Sequence, residues 1–275
     1  MKTKVGYLGQ VGTFSEIAVL SYFHDDEAER IGMKSFREML EALENKELDY
    51  AVLPVENTTT GIISRTYDLL KSYEVFAVGE AVIQIAEDLI VLPGTKIEEI
   101  RTVYSHPEAL FQCSGFFEAH PAIRQVPYND TAKSAELVKN SNDRSIAALG
   151  SWRAREAYGL ESLLQGVQNL KNNMTRFLIV SNKRIVQPEA DKVSLMMVLR
   201  HKPGTLYNIL GILAKNGVNV LKLESRPIQE HPFEYFFYID FEGNTETRLT
   251  QEILKEMGQR CTKMRVLGCY KAVHI

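Results

Sequence analysis

The sequence predicts an α/β fold of alternating strands and helices, followed by a smaller α+β domain. Three observations predict it. Through the first two thirds, short apolar runs alternate with amphipathic ones, which is the pattern of strand followed by helix. Residues 184–191, read as "RIVQPEAD", are polar with a proline and form a linker. Beyond them the order becomes strand, helix, strand, strand, helix, strand, the split β-α-β-β-α-β motif. The expected organisation is a first domain over residues 1–183, a linker over 184–191 and a second domain over 192–275.

The elements follow in order. Residues 5–8 are a strand, followed by "GQVGTFS" and a helix through Val19 and Leu20. Residues 50–55 are a strand, followed by "ENTTTG" and a helix through Leu70. Residues 102–104 lead into "SHPEALFQC" and a helix to about residue 119. Residues 125–128 lead into "NDTAKSAELV", and the small-residue strand 145–149 into "GSWRAREAYGL". In "NNMTRFLIV", residues 177–180 read as a buried strand, with Thr175 and Arg176 at its mouth. In the second domain, residues 193–199 are a strand. A helix follows, opened by Pro203-Gly204 and closed by Gly217. Strands 218–224 and 233–241, helix 247–257 and strand 264–270 complete it.

Composition narrows the function classes. At 45% hydrophobic and 24% charged residues, the chain has enough apolar side chains for two cores and reads as a soluble globular protein. A net charge of −3 gives no electrostatic reason to expect nucleic acid or an anionic membrane as partner. No apolar run approaches the ~20 residues of a membrane span. The start has no secretory cleavage pattern, so the expected location is the cytoplasm. Cys113, Cys261 and Cys269 have no metal-type spacing and read as reduced, packing thiols.

Candidate chemistry collects at the strand-to-helix turns. Thr13 and Ser15, then Glu56, Asn57, Thr58 and Thr59, then Ser105, then Asn129, Asp130 and Thr131 all stand where helices begin. Helix N-termini present unpaired N–H groups and a partial positive charge, which suits a small ligand with several negative groups. Helix capping explains any one of these turns equally well: Thr13 to Glu16 and Ser105 to Glu108 both fit the capping box. "GQVGTFS" lacks the ending of a phosphate loop and the spacing of a dinucleotide fingerprint, so its glycines serve a tight turn or a close backbone approach. Gln112 is placed two helical turns beyond Ser105 on the same face, His106 as a capping or exposed group, and Trp152 in a core. Arg153, Arg155 and Glu156 read as a solvated helix face.

Taken together, "GTFSEIA", "PVENTTTGIISRTYDLL", "SHPEALFQC", "NDTAKSAELV", "AREAYGL" and "NNMTRFLIV" resemble the motifs of the prephenate dehydratase family, in order, over residues 4–182. The second domain resembles the ACT regulatory module, with "GTLYNIL" and "ESRP" in the expected places. The resemblance implies a catalytic domain of two α/β lobes like periplasmic binding proteins, plus a ferredoxin-like ACT domain. It implies a lyase that converts prephenate to phenylpyruvate, carbon dioxide and water on the route to phenylalanine, with no metal or organic cofactor. L-Phenylalanine is the implied effector and a homodimer or homotetramer the implied assembly. Because residue 5 already lies in the first dehydratase strand, no fused chorismate mutase domain is expected.

By position, the resemblance implies that Thr175 is catalytic and that Glu56, Asn57, Ser105 and Gln112 share its cleft. Thr13, Ser15, Thr58, Arg176 and Phe177 are the expected substrate-binding set. Gly204, Thr205, Leu206, Asn219, Glu224, Ser225, Arg226 and Pro227 are the expected effector-binding set. Asn169, Gln10 and Thr58 depart from residues common in relatives, and Thr205, Leu206 and Tyr207 stand in a regulatory loop that usually reads Gly-Ala-Leu-Val. In this expectation Thr175 hydrogen-bonds the departing hydroxyl, Glu56 is a proton source if burial keeps it neutral, and Arg176 is either a carboxylate clamp or half of a structural ion pair. Two other readings stay open: arogenate dehydratase, and a cytoplasmic two-lobed binding or sensor protein without chemistry.

Overall fold

The computed structural model describes residues 2–24, 28–228 and 231–273. They gather into two compact units, each discontinuous in sequence. One comprises Met1–Met39, Val52–Ile62 and Val82–Phe177, and the other Leu40–Ala51, Ile63–Ala81 and Leu178–Ile275. Strands Tyr50–Asn57, Phe76–Gln84 and Met174–Ser181 each contribute residues to both.

In the first unit, strands Thr3–Leu8 and Ala28–Met33 pair in parallel beside helix Phe14–Tyr22. A separate five-stranded sheet has the order Glu161–Leu164, Asp88–Val91, Ile146–Gly150, Thr102–Ser105, Arg124–Pro127. Side chains on a strand alternate between faces, and this sheet uses both. Leu89, Val103 and Leu149 pack against Leu110, Phe116 and Phe117 on one side. Ile90 and Ala148 pack against Ala135, Val138 and Ala154 on the other. Each such Leu, Ile or Phe contributes roughly 1.5–3 kcal/mol by leaving water.

Helix starts follow local chemistry. Thr13 Oγ1 accepts from the Glu16 N–H at 3.3 Å, Asp130 Oδ1 from Lys133 at 2.7 Å, and Ser151 Oγ from Ala154 at 3.0 Å. The expected capping box at Ser105 is not formed. Helix Pro107–Gln112 is capped by His106, whose Nδ1 accepts from the Glu108 N–H at 3.2 Å. Ser105 ends the preceding strand, so the same-face argument linking it to Gln112 does not apply. Gly9 and Gly12, at φ 92° and 97°, make a tight turn, and a Cβ on Gly12 would lie 2.7 Å from the Ala154 backbone. Trp152 is 42% exposed rather than in a core. Arg153 is no solvated face either: it forks onto the buried Glu16 at 3.1 and 3.2 Å.

In the second unit, strands Lys192–Leu199, Val220–Ile228, His231–Glu242 and Cys261–Tyr270 form the predicted split motif. Lys192–Leu199 lies between His231–Glu242 and Cys261–Tyr270, with every pairing antiparallel. Helices Thr205–Lys215 and Arg248–Arg260 cover one face through Ile209, Leu213, Ile253 and Met257, against Val193, Leu195, Ile239 and Phe241. The other face receives helix Ser64–Leu70. The Tyr238 hydroxyl donates to the Tyr67 carbonyl at 2.6 Å, and Arg226 forks onto Asp68 at 3.2 and 3.0 Å. Strand Phe76–Gln84 meets the edge of the motif at Ala77 and Gly268, and a Cβ on Gly268 would sit 1.9 Å from the Ala77 carbonyl oxygen. The buried Lys192 ammonium holds both Glu80 oxygens at 2.7 and 2.9 Å, which compensates two charges removed from water. Residues 184–191 carry neither helix nor strand.

Candidate active site

The polar run before the buried strand proves to be built into it. The strand spans Met174–Ser181, so Thr175 and Arg176 are its second and third residues. Alternation points them to opposite sides. Arg176 meets Glu56 on strand Tyr50–Asn57, Nη2 to Oε2 at 3.0 Å. The Glu56 side chain is 42% exposed, so the burial that the expected proton source required is absent. Phe177 is buried core at 2% exposure.

Thr175 belongs to a network of side-chain amides. Asn57 Nδ2 donates to Thr175 Oγ1 at 2.9 Å, to Asn173 Oδ1 at 2.7 Å and to the Met174 carbonyl at 3.1 Å. Asn57 Oδ1 accepts from the backbone N–H groups of Thr59 and Thr60, both at 2.9 Å. Asn173 Nδ2 in turn donates to Gln112 Oε1 at 3.0 Å, and Gln112 Nε2 to Glu108 at 3.3 Å. Asn57, Asn173 and Thr175 are buried, while Gln112 is half-buried. Thr175 keeps 7% exposure, so the residue is buried without being fully sealed from solvent. This network answers why two asparagines precede the Thr-Arg pair. Asn173 joins the other members side chain to side chain, and the Asn172 carbonyl accepts from the Thr58 hydroxyl at 3.1 Å. Sequence reasoning quoted Asn173 and gave it no role; the signal was a polar pair directly before an apolar strand.

Other expected residues stand elsewhere. Ser105 is fully buried and donates its hydroxyl to the Leu149 carbonyl at 2.9 Å, outside this network. Thr58 Oγ1 also accepts from the Met174 N–H at 2.9 Å, so strand pairing occupies it. Thr13 and Ser15 line a cavity of about 670 Å³ together with Lys34, Asn129, Asp130, Thr131 and Lys133. Its lining includes none of Glu56, Asn57, Ser105, Gln112, Thr175 or Arg176. Two lysines, one of them Lys133 at 4.0 Å from the Asp130 carboxylate, and two helix starts line it, and helix N-termini suit anionic groups. Among the departing positions, Gln10 donates to Glu136 and Tyr158, and Asn169 ties Ser114 to Gly115.

In the second unit, Gly204 opens its helix at φ 80°, and Thr205 donates to the carbonyls of Arg200 and Lys202. Leu206 packs on the core and Asn219 donates to Glu242 at 3.4 Å. On strand Val220–Ile228, Glu224 and Arg226 are half-buried while Ser225 and Pro227 are exposed.

One ionisable group near the network is unusual. Glu87 is 2% exposed and its Oε2 has no hydrogen-bond partner among the described residues. Burial, with a smaller push from Asp88, raises its carboxyl from the ordinary 4.5 to about 8. Burial and the neighbouring Glu87 likewise push the Cys113 thiol up, which makes it inert. Between the two Glu87 values the folded chain holds a proton that the unfolded chain has released. Stability is therefore greatest below the lower value and falls as pH rises through the window, by on the order of a few kcal/mol in total. Glu87→Gln is expected to remove that fall, measured as Tm between about pH 5 and pH 9. A wild-type Tm no steeper in pH than the variant's would contradict the assignment.

Comparison with known proteins identifies the chain. Residues 5–185 match the family model described as prephenate dehydratase, and residues 193–259 match that of the ACT domain. The chain belongs to the prephenate dehydratase family. The bifunctional chorismate mutase/prephenate dehydratase of Enterobacter agglomerans is 34% identical over 99% of this chain and 71% of its own length. Among solved structures, the prephenate dehydratase of Arthrobacter aurescens in complex with L-Phe superposes with a TM-score of 0.89 at 28% identity, covering 98% of this chain and 90% of that one. A protein described as a novel type of quorum quenching acylase also superposes at 0.89, with 27% identity and 98% of both chains covered. The chain is thus an α/β enzyme of the prephenate dehydratase family with a C-terminal ACT domain, and the Thr175 network lies within the dehydratase match. No helix among its described residues is long and apolar enough to cross a membrane.

Proposed function

We propose that this enzyme acts on prephenate at the Thr175 network and is inhibited by L-phenylalanine through its ACT domain. The observation that supports the reaction is the 2.9 Å bond from Asn57 Nδ2 to Thr175 Oγ1. Asn57 supplies the hydrogen of that bond, so the hydroxyl's own hydrogen is left to point elsewhere. An alcohol is a weak acid, and its part is a positioned hydrogen bond to the substrate's ring hydroxyl as it departs. That hydroxyl takes up one proton and leaves as water. The ring carboxylate leaves as carbon dioxide, and the electron pair of its carbon–carbon bond completes the aromatic ring. A neutral product leaving from a charged group favours a dry site, and Thr175 is nearly buried. Gln112 offers its Nε2 as a second donor, and Glu56 holds Arg176 in place. Thr13 and Ser15 are proposed substrate contacts in a cavity whose lysines suit a carboxylate. Ser105 supports the sheet beneath.

For regulation, residues 1–183 are the proposed catalytic part, 184–191 the linker and 192–275 the effector-binding part. Phenylalanine is placed between paired ACT domains of a cytoplasmic homo-oligomer, near Gly204, Asn219 and residues 224–227. The fork of Arg226 onto Asp68 supports a path to the dehydratase region, because helix Ser64–Leu70 follows the Glu56–Asn57 strand end within a few residues. A ligand that favours one arrangement of this contact shifts activity by its differential affinity.

The test is phenylpyruvate formation from prephenate, with arogenate run beside it, each with and without phenylalanine. Turnover of prephenate, faster than of arogenate and lowered by phenylalanine, is the expected result. Faster turnover of arogenate would reassign the substrate, and no turnover of either would leave a binding protein. Calorimetry showing no heat with phenylalanine, together with unchanged activity, would remove the regulatory part.

A further inference from the structure

We infer that Asn173 is a positioning residue that relays the donor–acceptor direction fixed at Asn57 to Gln112, so that Gln112 turns its Nε2 away from the network while Thr175, set by Asn57 directly, keeps its own hydrogen free of it. The inference rests on the reading of that network as the active site and deepens it.

The direction can be traced from an unambiguous anchor. Backbone N–H groups only donate, and those of Thr59 and Thr60 converge on one Asn57 side-chain atom at 2.9 Å each. That atom is therefore the oxygen. The Asn57 nitrogen must face the other way, and the Met174 carbonyl at 3.1 Å independently demands a donor there. The Asn173 atom 2.7 Å from this nitrogen is then the acceptor, Oδ1. Its nitrogen is left facing Gln112 at 3.0 Å, which requires Oε1 there and turns Gln112 Nε2 to the other side, where one of its two hydrogens reaches Glu108 at 3.3 Å. Thr175 Oγ1 receives an Asn57 hydrogen at 2.9 Å and keeps its own for a partner outside the network.

Asn173 can transmit this order because it cannot turn. It is 2% exposed, and its backbone carbonyl accepts from the Ile85 N–H at 2.8 Å. Gln112 is half-buried, so without Asn173 only the longer, exposed 3.3 Å bond to Glu108 selects which end of its amide faces the substrate. Asparagine is the residue type the position demands. It accepts on one side and donates on the other, whereas a carboxylate accepts on both.

Two variants test this, with fold checked by circular dichroism and Tm. Asn173→Ala is expected to lower kcat on the order of tenfold or more with a smaller change in KM, the pattern of lost transition-state alignment. Asn173→Asp gives a sharper signature. As a carboxylate it accepts from both neighbours and reverses Gln112. As a protonated acid it accepts from Asn57 and donates to Gln112, which restores the order. Its kcat relative to wild type should therefore recover as pH falls through the titration of the introduced carboxyl group, while the circular dichroism spectrum stays constant. Asn173→Ala with kcat within about twofold of wild type, or a pH-independent Asn173→Asp ratio, would overturn the role. Thr175→Ala, assayed alongside, separates the two levels of argument. If it turns over normally, the site reading itself fails. If it is slow while the Asn173 variants are not, only the positioning role fails.

Discussion

Thr175→Ala is expected to lower kcat for prephenate by on the order of 10²–10³ while leaving the fold intact, and Thr175→Ser to keep much of the activity. The expectation follows from what the hydroxyl does in the structure. Its oxygen accepts from Asn57 at 2.9 Å and its hydrogen is available for the departing group. Serine preserves both features and loses only a methyl group. Its unbranched side chain is less restricted at χ1, so some loss of alignment and a modestly lower rate are expected. Alanine preserves neither. It also leaves one hydrogen of the Asn57 amide with fewer acceptors, but the Met174 carbonyl and Asn173 remain within reach, so the stability cost stays near the ~1 kcal/mol of a single hydrogen bond. The measurement is steady-state phenylpyruvate formation, with Tm as the control for folding. Normal turnover by Thr175→Ala would refute the assignment, and serine behaving like alanine would show that the methyl group rather than the hydroxyl matters.

Much of the architecture was legible from the sequence because its signals are local. Apolar runs of strand length behind capping residues marked the alternation, and the order of elements after residue 191 marked the split motif. Residues 28–44 and 76–91 were not assigned, and the reasons are physical. Strand Ala28–Met33 carries Glu29 and Arg30, and Arg30 is accommodated by the buried Glu16 at 3.5 Å, on the preceding helix. Strand Phe76–Gln84 contains Gly79 and Glu80, and the carboxylate is tolerable only because Lys192 lies against it, 112 positions on. Such compensation is invisible to periodicity. Helix Phe36–Glu44 is different, since its apolar residues recur at helical spacing and its pattern was there to be read.

The candidate site divides in the same way. Asn57, Asn173, Gln112 and Thr175 are joined in one hydrogen-bond network. The resemblance did not reveal what each side chain donates or accepts, because that depends on pairs separated by more than fifty residues. Ser105 shows the reverse difficulty. A serine before a short helix fits a cap or a ligand contact equally well, and the structure gives the cap to His106 and binds the serine hydroxyl to a neighbouring strand's carbonyl.

Asn57→Asp should be slower than Asn57→Ala even though it is the more stable of the two. The aspartate keeps one oxygen where Thr59 and Thr60 donate, and two backbone N–H groups hold a carboxylate there well. Alanine abandons both and is expected to lose about 1–3 kcal/mol of stability through those unsatisfied donors. The rates should run the other way. In Asn57→Asp, an acceptor replaces the donor 2.9 Å from Thr175 Oγ1, so the threonine hydroxyl turns inward and gives its hydrogen to the carboxylate. The same oxygen confronts Asn173 Oδ1 at 2.7 Å, which drives that amide, and Gln112 behind it, to reverse, and the Met174 carbonyl at 3.1 Å, which cannot reverse and takes back part of the stability the aspartate keeps. Alanine leaves the threonine free to rotate and therefore still able to serve the departing hydroxyl part of the time. At about pH 8 the aspartate variant is expected to have the lower kcat by on the order of tenfold, with the gap closing as acid protonates it. A purely structural role for Asn57 predicts that the more stable variant is the faster one. Measuring kcat and Tm for both proteins decides between the two orders, and an Asn57→Asp enzyme as fast as Asn57→Ala would mean that the direction of these hydrogen bonds does not govern turnover.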